Sequence, residues 1–441
     1  MASLSGCVSS DPDDLPVFLP STPHERYEFA FRQVGLETTA LGYQWIDASR
    51  DALEEALPIE PPMSESGYFD PTEAPSLGYR ISMRRGQRLV VNVGMPGTAH
   101  KVFIDLFRVR DGDTPQQFVH QVSADSSSAS LEHIAGRDGE YVLRLQPELL
   151  TGGAYVLTVL HTASLAFPVT GHDTGAIRSG WGAARDGGRR RHEGVDIFAR
   201  RGTPVIAALD GRVRSTRSSR LGGNVVWLRT SLGSLYYAHL DSVAVGRDSL
   251  VRVGDTVGFV GNTGNARTTP PHLHFGVYAR GATDPYPFIY QPSQAPPRLT
   301  ADTNLVGTTV RARESAVNVR RSPGQRGEVV RTLSADTPMH VLGGAGSWFR
   351  VRLPDRTKGF VFATSVESMH APVEQQVVAS TIRVLDNPNT EAFVVDSVPS
   401  GGDMPVLARY EGYVLVQAPS GRSGWVAEHA LVAGAPPGGP D

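Results

Sequence analysis

His192-Glu193-Gly194-Val195-Asp196 and, 76 residues further on (272 − 196), His272-Leu273-His274-Phe275 decide how this chain is read. In the first stretch Gly194 disfavours a helix and the β-branched Val195 and Ile197 favour a strand. Alternate residues of a strand share a face, so His192, Gly194 and Asp196 point one way, with Gly194 leaving space for an ion. His272 and His274 share a face by the same period, and Pro270 and Pro271 mark the start of their strand. The interval between the two stretches holds enough residues for several strands to bring them into one sheet.

A nitrogen, an oxygen and a second nitrogen drawn from these stretches suit a single zinc ion. Two neutral imidazoles and one carboxylate leave the ion net positive charge, and three protein ligands leave a position for water. Two further histidines remain, one in Tyr236-Tyr237-Ala238-His239-Leu240 and one in the His-x-His pair. Hydrolysis of an amide also needs a group that takes a proton and one that stabilises the oxyanion, and histidine can do either.

These motifs, with Gly202-Thr203-Pro204-Val205, Ala208-Leu209-Asp210-Gly211, Gly222-Gly223-Asn224 and Gly261-Asn262-Thr263-Gly264 around them, resemble the lysostaphin- and LytM-type zinc metallopeptidases. The resemblance implies an all-β domain with a narrow groove over residues 166–300. It implies zinc ligands at His192, Asp196 and His274 and catalytic histidines at His239 and His272, with base and oxyanion roles left open between the last two. It further implies a zinc endopeptidase that cuts peptide cross-links of bacterial peptidoglycan. The alternative is a silent wall-binding lipoprotein that activates other wall hydrolases, since some members of the family have lost ligands; here no ligand or catalytic histidine departs from the pattern. A third reading is a zinc peptidase acting on proteins.

Outward from this domain, the chain reads as mainly β and multidomain. Residues 24–76 are a helical region and linker, with Tyr27, Phe31 and Val34 on one helix face and Pro58, Pro61 and Pro62 ending it. Residues 77–165 alternate as strands, for example Tyr79, Ile81 and Met83, and resemble the β-sandwich modules of secreted bacterial peptidases. His100, His120, His133 and His161 in this region have no ligand spacing and read as surface or packing residues. Residues 305–370 and 378–432 form an internal repeat of short strands that resembles bacterial SH3-like barrels, the second copy degenerate. The barrels are expected to hold the chain on the wall, with plain spacers as the other reading. Residues 433–441 read as a flexible tail. Arg189-Arg190-Arg191 before His192 reads first as a solvated loop and second as a contact for acidic groups of the wall peptide.

Leu4-Ser5-Gly6-Cys7 resembles a lipobox, with residues 8–23 as a tether. It implies a membrane link through lipid on Cys7 and a periplasm-facing position in the envelope. A basic and then an apolar segment should precede such a motif, which residues 1–3 do not supply. Composition excludes other classes. A formal net charge of −3 gives no footprint for nucleic acid, and 40% hydrophobic with 20% charged residues is ordinary for a folded chain. The single cysteine rules out an intrachain disulfide. Oligomeric state is not legible.

Overall fold

The computed structural model describes residues 20–95, 102–110, 112, 116–125, 128–290 and 295–432. The lipobox-like segment with Cys7, His100 and the tail 433–441 lie outside the described residues. Strands dominate, and no described helix is long and apolar enough to cross a membrane.

Two helices, Pro23–Gln33 and Ala40–Glu54, open the described chain. Thr22 and Glu25 form a capping box around Pro23, which satisfies the first free N–H groups. The apolar face rests on the sandwich: the indole N–H of the fully buried Trp45 donates to the Pro147 carbonyl at 2.9 Å, and His24 stacks on Trp45 at 4.8 Å.

The sandwich differs from its expected limits. One sheet runs in the order Leu57–Pro58, Leu77–Met83, Gly139–Pro147, Val102–Arg110, Gln117–Ser123. The facing strands are Met63–Phe69, Gly153–Thr162, Arg88–Gly94 and Ser130–Ile134. Met63–Phe69 falls in the stretch read as a linker. It alternates correctly, but one of its inward positions is Glu65, fully buried. That carboxylate accepts from the Tyr79 hydroxyl at 2.8 Å, the Tyr155 hydroxyl at 2.7 Å and Arg350 Nη2 at 2.9 Å. Arg350 belongs to the first barrel, whose strand Pro338–Ala345 pairs with Met63–Phe69, so sandwich and barrel share one continuous sheet. A Cβ at Gly343 would lie 2.7 Å from Glu65 Oε1, which is why glycine stands at that crossing.

The two barrels repeat one pairing pattern. Val317–Arg320, Val329–Leu333, Pro338–Ala345, Trp348–Arg352 and Lys358–Phe362 correspond to Ile382–Leu385, Val394–Val398, Asp403–Tyr410, Tyr413–Gln417 and Ser423–Ala427. Trp348 packs edge-on against Phe362, and Trp425 against Tyr410.

The sheet that carries the site falls between sandwich and barrels in sequence. Its order is Ile177–Ser179, Val195–Phe198, His272–Tyr278, Gly233–Leu240, Gly223–Thr230, Gly211–Ser219, Leu250–Val251. Val195, Ile197, Leu273, Phe275, Val277 and Tyr237 turn inward to a common core. The alternation therefore places Asp196, His272 and His274 on the opposite face.

Candidate metal centre and its flanking histidines

Asp196 and His274 are direct cross-strand partners, as are Phe198 and His272. The period-of-two reading of Asp196 and of the His-x-His pair thus holds. His192 differs: it lies three residues before the strand Val195–Phe198, not on it. A loop pinned at both ends delivers it, with its N–H bonded to the Ala183 carbonyl and its own carbonyl accepting from Gly182. Nor does Gly194 make room for an ion. A Cβ there would sit 2.5 Å from the Phe275 carbonyl oxygen and 2.7 Å from His274 Cε1, so the space belongs to the neighbouring strand and the His274 ring.

His192 Nε2, His274 Nδ1 and Asp196 Oδ1 converge. The separations are 2.9 Å between the two nitrogens, 2.9 Å from His192 to the carboxylate and 3.0 Å from His274 to it. The three residues form the one His/Cys/Asp/Glu group with metal-binding geometry among the described residues. Proton counting tests the fit. The Gly180 carbonyl can only accept, so His192 Nδ1, 2.8 Å from it, carries the proton. A neutral His192 then turns a bare lone pair toward Asp196. One proton on His274 Nδ1 can bridge to only one of its two neighbours, so two acceptors compete for a single proton. A cation resolves the conflict, and the donor set fits one. Burial pushes the Asp196 carboxyl up, but the adjoining His192 and His274 imidazoles outweigh that and hold it well below the usual carboxylate range. Burial lowers His274, against the pull of Asp196.

Arg185 completes the carboxylate's surroundings. Its Nη2 donates at 2.7 Å to Asp196 Oδ2 and at 2.7 Å to Ser179 Oγ. Nothing in the motif pointed to it, because it stands on the short hairpin Ala184–Arg185/Arg190–Arg191 and meets Asp196 only in the folded chain.

His239 and His272 lie beside the cluster. Their rings are 5.1 Å apart, and His239 is 5.9 Å from the His274 ring. His239 adopts φ of +61°, a left-handed conformation unusual for a side-chain-bearing residue. It sits where the pairing with Gly223–Thr230 slips register, and the bulge re-aims its ring. Its N–H donates to the Gly222 carbonyl at 2.7 Å and its Nδ1–H to the Thr263 carbonyl at 2.9 Å. The glycine turn opposite is required: at Gly223, with φ of +62°, a Cβ would lie 2.1 Å from Thr263 Oγ1. His272 donates Nδ1–H to the Pro270 carbonyl at 2.9 Å and stacks on Phe198 at 5.0 Å. Among the described residues, both imidazoles thus keep Nε2 free of backbone partners. Burial, then the neighbouring His272 and His274, lower His239 to about 4. An aromatic row of Trp227, Tyr236 and Tyr278 lies alongside, Tyr236 edge-on to His274 at 5.8 Å.

The fold and these five residues define a β-sheet domain with a His-Asp-His cluster that could hold a metal ion, flanked by two further histidines. Residues 190–285 match Peptidase family M23, and residues 315–367 match the bacterial SH3 domain. The chain therefore carries an M23 domain of the lysostaphin/LytM type followed by a bacterial SH3 domain. It is 40% identical over 138 residues to the L-Ala--D-Glu endopeptidase of Bacillus subtilis, covering 28% of this chain and 42% of that protein. It is 37% identical over 106 residues to the glycyl-glycine endopeptidase ALE-1 of Staphylococcus capitis, covering 22% and 29%. Among solved structures it is similar to the catalytic domain of lysostaphin from Staphylococcus simulans, at 35% identity, 25% and 88% coverage and a TM-score of 0.23. The chain spans less than half the length of the curated relatives named.

Proposed function

We propose that this protein is a zinc endopeptidase that hydrolyses peptide cross-links in bacterial peptidoglycan. The observation that carries the reading is the convergence of His192 Nε2, His274 Nδ1 and Asp196 Oδ1 at 2.9–3.0 Å, with two further imidazoles on the same side of the sheet. Zinc held by these three donors supplies Lewis acidity that makes water a nucleophile near neutral pH. His239 and His272, each with Nδ1–H committed to a carbonyl, present Nε2 toward the reacting groups. One accepts a proton from the attacking water and passes it to the departing amine. The other, when protonated, donates to the oxyanion formed on the scissile carbonyl. The hydrogen bonds to Thr263 and Pro270 fix the rings before substrate arrives. Water adds to the carbonyl carbon, the C–N bond breaks, and a carboxylate and an amine are released.

The names of the relatives support a wall substrate, and a bacterial SH3 domain suits attachment to it. In this reading the barrels hold the chain on peptidoglycan, and lipid on Cys7 places it at the periplasm-facing side of the envelope. Purified sacculi and casein, each incubated with the chain, test the substrate. The proposal expects soluble fragments from sacculi with equal numbers of new amino and carboxyl ends, and no cleavage of casein. Wall binding without fragment release from a zinc-loaded chain would make it a silent binder. Membrane fractionation of the full-length product with and without Cys7→Ser tests the anchor.

A further inference from the structure

Beside the metal centre lies an open pocket of about 440 Å³ lined by Arg190, Arg220, Leu221, Gly264, Asn265 and Arg267. The fold ties it to the site through the backbone. Leu221 and Gly264 adjoin Gly222 and Thr263, whose carbonyls hold His239, and the Asn265 N–H donates to the Leu221 carbonyl at 3.1 Å. Arg190 stands two residues before His192. The pocket is therefore next to the groups that would handle the scissile bond. Three of its six lining residues are arginine and none is acidic. Arg220 and Arg267 form no ion pair with a carboxylate among the described residues, although ion pairs are common nearby, as in Arg201 with Asp241. A guanidinium presents a planar pair of donors that matches a carboxylate.

We infer that this pocket binds a free carboxylate of the peptide substrate near the bond to be cut, so that the enzyme selects acidic stem peptides over amidated stems and glycine-only bridges. The inference rests on the peptidase reading. The arginine run before His192 is thereby more than a solvated loop, because Arg190 reaches the same pocket as two arginines from distant loops.

The test uses the full chain and two synthetic cross-linked stem peptides, one with free side-chain carboxylates and one fully amidated. Wild type is expected to cleave the acid form with kcat/KM roughly tenfold to a hundredfold higher, mostly through KM, since a charge-assisted contact is made already in the bound state. In the doubly substituted Arg220→Gln/Arg267→Gln chain the acid-to-amide ratio should fall toward one, and in Arg220→Lys/Arg267→Lys part of it should survive. The preference should shrink as salt rises, because these groups are exposed. A wild-type ratio near one, or a ratio unchanged in the glutamine variant, would overturn the inference. If neither peptide is cleaved, the peptidase reading fails by itself. Equilibrium binding of the two peptides to wild type and to the glutamine variant then still decides whether the pocket reads acid.

Discussion

Arg185 and Asp196 meet at 2.7 Å through the carboxylate oxygen that is not shared with His192 and His274. The contact divides the carboxylate: Oδ2 is held by Arg185, and Oδ1 is left to complete the donor triangle. A ligand fixed in this way loses less freedom when an ion binds. Arg185→Gln should therefore lower zinc affinity by roughly tenfold to a hundredfold while the fold is kept. Competition with a chromophoric chelator measures it, and circular dichroism checks the fold. An unchanged affinity would make the pair a loop contact only.

Glu65 and Arg350, 285 positions apart (350 − 65), form a bidentate pair in the seam between sandwich and first barrel, with Glu65 fully buried and Arg350 almost so. A lone charge left in that seam has no water to turn to. Arg350→Met should cost about 3–5 kcal/mol of stability, and Glu65→Leu with Arg350→Met together should cost less than either change alone. Calorimetric unfolding of the full chain reads this. Singles that cost only ~0.5 kcal/mol, as ordinary surface changes do, would show the seam to be wet. The same pair means that cutting the chain near residue 300 removes both Arg350 and the strand Pro338–Ala345. Such a truncation should destabilise the sandwich as well as weaken wall binding.

His239 is lowered to about 4, first by burial and then by the neighbouring His272 and His274. A cation in the adjoining cluster pushes in the same direction. The imidazole is therefore neutral from alkaline pH down through pH 6, and loses its free lone pair only as pH falls toward 4. With His239 as the general base, kcat/KM should stay level from pH 7 to about 5, where an ordinary histidine of pKa ~6.5 would already be largely protonated. A kcat/KM profile with an acid limb centred near 6.5 would exclude His239 as the base and leave that role to His272. Stability has the same sign: the unfolded chain takes up a proton near 6.5 and the folded one only near 4, so stability falls across that window as pH is lowered.

The sequence was most legible where a period of two met chemistry. Asp196 against His274, and the inward Val195, Ile197, Leu273 and Phe275, follow from alternation. What failed did so for local reasons. His192 is delivered by a loop, so its strand period was coincidental. Gly194 admits the neighbouring strand and a ring, a fact that depends on the register between strands and not on the segment itself. Met63–Phe69 was hidden because its inward face carries Glu65 and Gly67, residues that signal exposure unless a distant arginine and two tyrosines are known to meet them. Arg185 and the Arg220–Arg267 pocket are assembled from loops whose meeting has no trace in spacing. The division of labour among the histidines came from resemblance.

The division of roles among the histidines turns on His272-Leu273-His274. The two histidines share a strand face about 7 Å apart along the chain, so they cannot both sit on one small ion with ease. Zinc content per chain and peptidase rate should be measured on His272→Ala and on His274→Ala. His274→Ala should lose zinc and activity together. His272→Ala should keep close to one zinc while turnover drops by roughly 10²–10⁴. Loss of zinc from His272→Ala as complete as from His274→Ala would contradict this division, and the donor set would then have to include His272.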